Sequence, residues 1–485
     1  MRIFITMNKS QRKFYITTAI PYVNASPHIG FALELLQTDA LARYRRQKGD
    51  DVFFLTGADE NSLKNVQAAE KEGLSTKDLV EKNTAKFIDL TKALNISNSD
   101  FIRTTSKKHF SGCQKLWRAC KKSDIYKKKY RGLYCVGCEQ FYTEKELVDG
   151  CCPEHHTKPE VIEEENYFFK LSNYQKQLEK LIASDEYRII PETRKNEVLS
   201  FIKMGLEDFS ISRSQKRAKN WGVPVPGDES QVMYVWYDAL SNYITALDYD
   251  KNGSKFKKYW PADFHVVGKG IIRFHAVYWP AMLLSAGLKL PKGLFVHGYI
   301  NIAGEKMSKS LGNVVDPFAL IEKYGLEPVR YYLLRHINPF NDSDFSTEQF
   351  EHAYTADLAN GLGNLVSRVA GLVEQNSVKI KQDKQDKQDK VFAKLVEGFL
   401  FDQALKYIWD KISKLDGLIA ETKPWELAKQ GKTKELNKIL NEAANGIIEI
   451  SELLIPFLPE TAEKIQKIFQ AENIKKGEPL FPRLN

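Results

Sequence analysis

The 485-residue chain contains no apolar run long enough to cross a bilayer, which takes about 20 residues. Its longest apolar stretch, Ala276 to Leu288, is short and interrupted by Ser285 and Gly287, so it reads as a buried helix. The first residues, Met1 to Lys13, lack both the apolar core of a secretory signal and the Arg-rich amphipathic pattern of a transit peptide. These absences set the expectation of a cytoplasmic protein that does not engage a membrane. Cysteine is scarce: six in the chain, four of them bunched between Cys135 and Cys152. That distribution excludes a disulfide framework and points to a metal site in a reducing compartment. Charge of one sign is not strongly lacking. The 71 basic against 62 acidic side chains leave a net charge of +9, an excess that fits a polyanionic partner without requiring one. Composition is otherwise that of a globular protein, at a length that accommodates two to four domains.

The chain opens with a parallel βαβ pattern. Lys13 to Ile20 alternates as a strand, Ser26-Pro27 is a capping hydroxyl followed by proline, and a helix runs through Ala32 to Arg45 and stops near Gly49. Val52 to Leu55 reads as a second, buried strand. This is the entry to a doubly wound nucleotide-binding sheet. Near Lys121 lysines crowd, a Cys-rich stretch follows, and an acidic run arrives at Glu163 to Glu165. Residues 1–120 are therefore read as the first half of a Rossmann-like catalytic domain and 121–220 as a connective insertion. The second half occupies 221–300, with Met233 to Trp236 and Phe264 to Val267 as strands. Residues 301–355 hold a Lys- and Ser-rich loop and the linker to an all-α bundle at 356–485. In that bundle Leu405, Ile408, Trp409, Ile412, Leu415 and Ile419 mark one helical face. The repeat Lys381 to Lys390 carries both charges and no apolar residue, and reads as a solvated loop.

Two motifs carry nucleotide chemistry. His28-Ile29-Gly30-Phe31 stands at the first turn of the first helix, where free amides and the positive helix end face a phosphate. Gly30 removes a side chain where a flat ligand approaches, and His28 supplies a donor. The second motif, Gly304-Glu305-Lys306-Met307-Ser308-Lys309-Ser310-Leu311-Gly312, places two lysines three apart in a loop with glycines on each side. Such a loop can turn both ammonium groups to a triphosphate and can open and close. Cys135-x-x-Cys138 followed by Cys152-x-x-His155 gives two ligand pairs of the spacing that holds tetrahedral, structural zinc. Cys151 and His156 each adjoin a ligand and stand as substitutes. In the bundle, Asn360, Asn364 and Arg368 are four apart and share a helix face. Amides and a guanidinium on one stripe read the edges of splayed RNA bases, and Trp425 after Pro424 offers a stacking plane.

On His28-x-Gly30 and Lys306-Met-Ser-Lys309-Ser, the chain resembles class I aminoacyl-tRNA synthetases, whose two ATP motifs these are, and among them the methionyl enzymes. The resemblance covers nearly the whole chain. It implies an α/β fold with a Rossmann-like parallel sheet, a zinc-binding insertion and a helical anticodon-binding domain. The reaction it implies is ligation: methionine and ATP give methionyl-adenylate, and the methionyl group passes to the 3′ end of tRNA(Met). His28, Lys306 and Lys309 are the implied catalytic residues. Gly30, Glu34, Gly268, Lys269, His297 and Gly298 complete the ATP site, with magnesium accompanying the nucleotide. The implied methionine pocket comprises Ala19, Ile20, Tyr22, Asp59, Trp236, Ala239, Tyr243, Ile271 and His275. There Asp59 suits the ammonium, the aromatics suit a thioether, and Tyr22 and His275 offer the sulfur a polar contact. Asn360, Asn364, Arg368 and Trp425 match anticodon-reading positions. Two departures stand out: Phe31 replaces the second histidine of the first motif, and Gly270 stands where many relatives carry Asp. They are the features of the competing reading, a catalytically silent tRNA-binding paralogue. The insertion, about a hundred residues, leaves no room for the hydrolytic editing domain of the leucine, isoleucine and valine enzymes. A monomer is expected.

Overall fold

A computed structural model describes residues 11–137, 139–153, 156–302, 304–306, 314–382 and 389–484. It divides into two units, residues 1–38 with 45–297, and residues 39–44 with 298–485. Among the described residues no helix is long and apolar enough to cross a membrane.

The first unit is built on a six-stranded parallel sheet of β1 (Lys13–Thr18), β2 (Asp51–Ala58), β3 (Asp100–Arg103), β4 (Arg188–Ile190), β5 (Phe264–Gly268) and β6 (Gly293–His297), in the spatial order β3-β2-β1-β5-β6-β4. Strands buried on both faces need apolar residues on both, and β1, Lys-Phe-Tyr-Ile-Thr-Thr, is buried at every position after Lys13. From β1 the chain winds outward through β2 and β3, then returns to the other side of β1 through β5 and β6. That reversal opens a crevice beyond the carboxyl ends of β1 and β5, where doubly wound sheets take their ligands. Register places Gly268 opposite His297, so both stand at its mouth. The helix after β1, α1 (Ile29–Gln47), starts two residues beyond Pro27. The His28 carbonyl accepts from the Phe31 and Ala32 amides, and its ring Nδ1 accepts from the Gly30 N–H at 3.1 Å, so His28 rather than Ser26 closes the helix end.

Two sequence readings change here. Met233 to Trp236 is not a sheet strand. Asp228–Met233 pairs antiparallel with Ser212–Ser214 in a separate small sheet, and a short helix, Val235–Leu240, follows at once. The edge strand β4 comes from within the range read as insertion, and at three residues it is too short to show a period. The lysine crowd and the acidic run prove to be strand partners. Ile125–Cys135 pairs antiparallel with Glu160–Phe169, setting Lys129 opposite Glu165 and Arg131 opposite Glu163. Cross-strand opposite charges of this kind favour the register.

The second unit is helical from Pro317 onward, apart from a small sheet formed by Ile300–Ile302, Glu305–Lys306 and Ser343–Asp344. Leu405, Ile408, Ile412 and Ile419 of the predicted face are buried in its core while Trp409 and Leu415 are half-buried, and Leu436, Leu440, Ala443 and Ile447 of a second long helix join them. A fully buried ion pair, Arg330 Nη2 to Asp39 Oδ2 at 2.8 Å, is completed by Arg330 Nε donating to the Phe457 carbonyl. Residues Tyr354–Gly363 form a ten-residue π-helix that continues as the α-helix Asn364–Gln375. Glycines recur where the wide turn crowds the backbone: a Cβ at Gly363 would stand 3.0 Å from the Leu358 carbonyl oxygen, and one at Gly361 3.3 Å from that of Ala356. Residues 383–388 of the charged repeat lie outside the described residues.

Candidate active site

The chain leaves β1 at Ala19, crosses the crevice mouth as Ile20-Pro21-Tyr22, and pairs with the end of β2 through a bridge between Tyr22 and Asp59. Asp59 is buried, and its backbone N–H donates to the Pro21 carbonyl at 2.9 Å. Its Oδ1 accepts from the Asn61 N–H at 3.1 Å, while Oδ2 takes no hydrogen bond among the described residues. Burial raises the Asp59 carboxyl well above the ordinary range, and the neighbouring Asp238 and Glu139 charges push it the same way. A raised buried carboxyl with one oxygen open is matched to a cationic ligand that restores its charge.

Through Tyr22, its bridge partner, Asp59 adjoins an aromatic box. The Trp236 ring stacks on Phe274 at 3.8 Å and 6°, and Tyr22 stands edge-on to Trp236 at 6.4 Å. Trp236, Tyr22, Ile20 and Ile271 are half-buried, as side chains lining a site should be. Among the described residues the Tyr22 hydroxyl and Trp236 Nε1 are buried without a hydrogen-bond partner, a cost that a polar ligand atom would relieve. Ala239 and Tyr243 are buried behind this wall. His275 lies deeper than a ligand contact requires. Its Nδ1–H donates to the Ile271 carbonyl at 2.9 Å, so Nε2 accepts from the Tyr243 hydroxyl at 2.7 Å. Both ring nitrogens are thus taken, and burial lowers the imidazole pKa to about 4, keeping it neutral. It orients Tyr243 rather than offering a free polar contact.

At the nucleotide end, His28 is exposed beside Gly30, and Gly268 and Lys269 are half-buried at the end of β5. Glu34 differs from an open ligand contact. It is 6% exposed, its Oε1 accepts the Ala19 N–H at 2.8 Å, and its Oε2 accepts from His297 Nε2 at 2.9 Å. One carboxylate thereby braces the exits of β1 and β6. Phe31 is buried and packs edge-on against Phe87 at 5.4 Å, turned into the core. Gly298, in the second unit, has its own reason to be glycine: a Cβ would lie 2.3 Å from the Asn341 backbone. Lys309, the Lys306 side chain, Cys138 and His155 lie outside the described residues.

Cys135 and Cys152 are buried together with Tyr142 in one small cluster, whereas Cys151 is only half-buried and His156 is exposed. In the second unit Asn360 and Asn364 are exposed on one face, Arg368 on the same stripe pairs with Asp416 at 2.6 Å, and Trp425 is 38% exposed. Sequence reasoning passed over Phe274, Asn61, Asp238 and His109. Only the adjacency of Asn61 to Asp59 carried a signal.

A family model described as tRNA synthetases class I (M) matches residues 14–159 and 155–370. The methionine–tRNA ligase of Clostridium acetobutylicum is 43% identical over 509 aligned residues, spanning 98% of this chain and 79% of the relative. That of Brucella melitensis is 43% identical over 485 residues, spanning 96% and 93%. Among solved structures, Mycobacterium tuberculosis methionyl-tRNA synthetase in complex with methionyl-adenylate has a TM-score of 0.91 at 38% identity, covering 98% of this chain and all of that one. The match runs through both halves of the sheet and into the helices beyond, and the chain belongs to the methionine branch of the class I tRNA synthetases.

Proposed function

We propose that this chain is a methionine–tRNA ligase that binds methionine at Asp59 and the Trp236 box and activates it with ATP. The carrying observation is the pairing of a buried, half-satisfied carboxylate with an aromatic box at the reversal point of the sheet. The methionine ammonium pairs with Asp59 Oδ2, and the thioether rests among Trp236, Tyr22, Ile20, Ala239 and Ile271, against sulfur-tolerant aromatic faces. Its carboxylate attacks the α-phosphorus of ATP in line, forming the acyl–phosphate bond as the bond to pyrophosphate breaks. The attacking group is already an anion, so no base is required, and catalysis rests on alignment and on charge stabilisation. His28, Lys306 and Lys309 supply that stabilisation, with Gly30, Gly268, Lys269, His297 and Gly298 around the nucleotide and Glu34 bracing the strands. Magnesium travels with ATP. The methionyl group then passes to the tRNA 3′ end, with Asn360, Asn364, Arg368 and Trp425 reading the anticodon. The common burial of Cys135 and Cys152 supports a closed zinc site with Cys138 and His155, holding the insertion's turns together. The enzyme acts as a cytoplasmic monomer.

The test is pyrophosphate exchange with each amino acid in turn, on the parent and on Lys309→Ala. Methionine alone should support exchange, and Lys309→Ala should abolish most of it. Exchange supported equally by valine or leucine would overturn the assignment, and no exchange at all would favour a silent tRNA-binding protein. Metal analysis should return one zinc per chain.

A further inference from the structure

Behind Asp59 lies a buried chain of hydrogen bonds that meets the pocket through Asn61 alone. Asn61, whose backbone N–H holds Asp59 Oδ1, sends its side-chain amide two ways, to the Thr104 carbonyl at 3.0 Å and to Asp238 Oδ2 at 2.9 Å. The other oxygen of Asp238 accepts from His109 Nε2 at 2.9 Å, and His109 Nδ1 meets the Thr245 hydroxyl at 2.8 Å. His109, Asp238 and Thr245 are fully buried. Gly112 lets the His109 helix approach this closely, since a Cβ there would sit 2.3 Å from Thr245 Cγ2. Cys113, one helical turn on, places its sulfur 3.1 Å from the same Nε2. His109, Cys113 and Asp238 bring one donor atom each within 4.8 Å of one another, a grouping that could suggest a metal. The separations of 2.9 and 3.1 Å from one nitrogen are instead those of hydrogen bonds.

We infer that His109 and Asp238 are positioning residues for methionine recognition: Asp238, oriented by His109, fixes Asn61, and Asn61 fixes the Asp59 rotamer that receives the ammonium. The inference rests on the reading of Asp59 as the ammonium partner. The short helix carrying Asp238 also carries Trp236 and Ala239, so one anchor sets both the charged and the apolar sides of the pocket. Burial keeps the Asp238 carboxyl above its ordinary range although both donors favour its anion. Bound methionine brings its cation to Asp59, the residue this chain positions. Loss of the chain should therefore cost affinity for the ammonium specifically, and leave ATP recognition alone.

The experiment compares methionine with its desamino analogue, 4-(methylsulfanyl)butanoate, as ligands of the full chain, alongside exchange kinetics. His109→Ala and Asn61→Ala should raise KM for methionine about ten-fold or more with KM for ATP within about two-fold. The preference for methionine over the desamino acid should shrink by the same factor. Asp238→Asn should keep that preference within about three-fold of the parent. Its carbonyl still accepts from Asn61, its amide donates to Nε2, and His109 turns its proton towards Thr245. A uniform fall in kcat with unchanged KM and unchanged preference would mean a purely structural network and would overturn the inference. So would a second metal equivalent lost from His109→Ala. Asp59→Asn separates the two levels. If it leaves the preference intact, the ammonium reading itself fails. If it abolishes the preference while Asn61→Ala and His109→Ala do not, only the positioning chain fails.

Discussion

Replacing Glu34 distinguishes a brace from a nucleotide contact. In Glu34→Ala two buried donors lose a charged acceptor, the Ala19 N–H and His297 Nε2. A hydrogen bond to a charged group contributes about 1.5–3 kcal/mol. Ala19 retains part of its satisfaction, because the same N–H also reaches the Val266 carbonyl at 3.0 Å. The loss there belongs at the low end, about 1.5 kcal/mol, and the sum is about 3–4.5 kcal/mol. Glu34→Gln keeps an acceptor for Ala19 and, with a change of His297 tautomer, a donor towards the imidazole, so it should cost only about 1 kcal/mol. Thermal unfolding measures the total, and hydrogen exchange of the segment containing Ala19 measures the local part. Protection there should fall by about ten-fold in the alanine variant, at 1.4 kcal/mol per decade, and by no more than about two- to three-fold in the glutamine variant. Exchange activity should follow the same order. If glutamine proves as damaging to activity as alanine while Ala19 stays protected, the carboxylate acts on ligand and the bracing argument is wrong.

Phe31→His, which restores the usual motif, should lower stability by about 1.5–3 kcal/mol, because it removes a buried ring and its edge contact with Phe87. It should not raise the exchange rate, and a faster enzyme would show that the ring can leave the core. Asp59→Asn has a stability signature with a definite sign. Burial and Asp238 raise the folded pKa of Asp59 above its unfolded value, so the associated stability is complete below about pH 4 and is lost as pH rises through the raised value. Without methionine, the asparagine variant should therefore melt above the parent at pH 8 and converge with it in acid, and methionine should reverse the order. Trp425→Ala, at an exposed position, should leave melting and pyrophosphate exchange unchanged. It should weaken tRNA charging by the loss of one stacking contact, about 1–3 kcal/mol. Parallel loss in both assays would remove Trp425 from the anticodon reading.

The sequence exposed what depends on neighbours in the chain. β1, its helix and β2 are legible because strand and helix periods alternate over short distances, and His28 at the helix mouth follows from that order. Asp59 was found through its resemblance to a motif. What stayed hidden was decided across the fold. His275 looks like a pocket donor until Tyr243 and Ile271 are seen to occupy both its nitrogens. Glu34 looks like a ligand contact until Ala19 and His297, the latter 263 residues away, close on it. Asp238 and Asn61, separated by 177 residues, share no local pattern at all. Met233 to Trp236 misled because one apolar run ends a strand and begins a helix.

The wide turns of Tyr354–Gly363 alter the phase of the polar stripe that follows. A π-turn needs more residues than an α-turn, so the step of four from Asn360 to Asn364 stops short of a full revolution, whereas the step from Asn364 to Arg368, in α-helix, overshoots it. The two errors have opposite sense and largely cancel. Asn360 and Arg368 therefore lie along a line parallel to the axis, with Asn364 offset to one side, where an uninterrupted α-helix would have wound all three progressively around the barrel of the rod. The two glycines that tolerate the crowded carbonyls thus set the alignment of side chains they never touch.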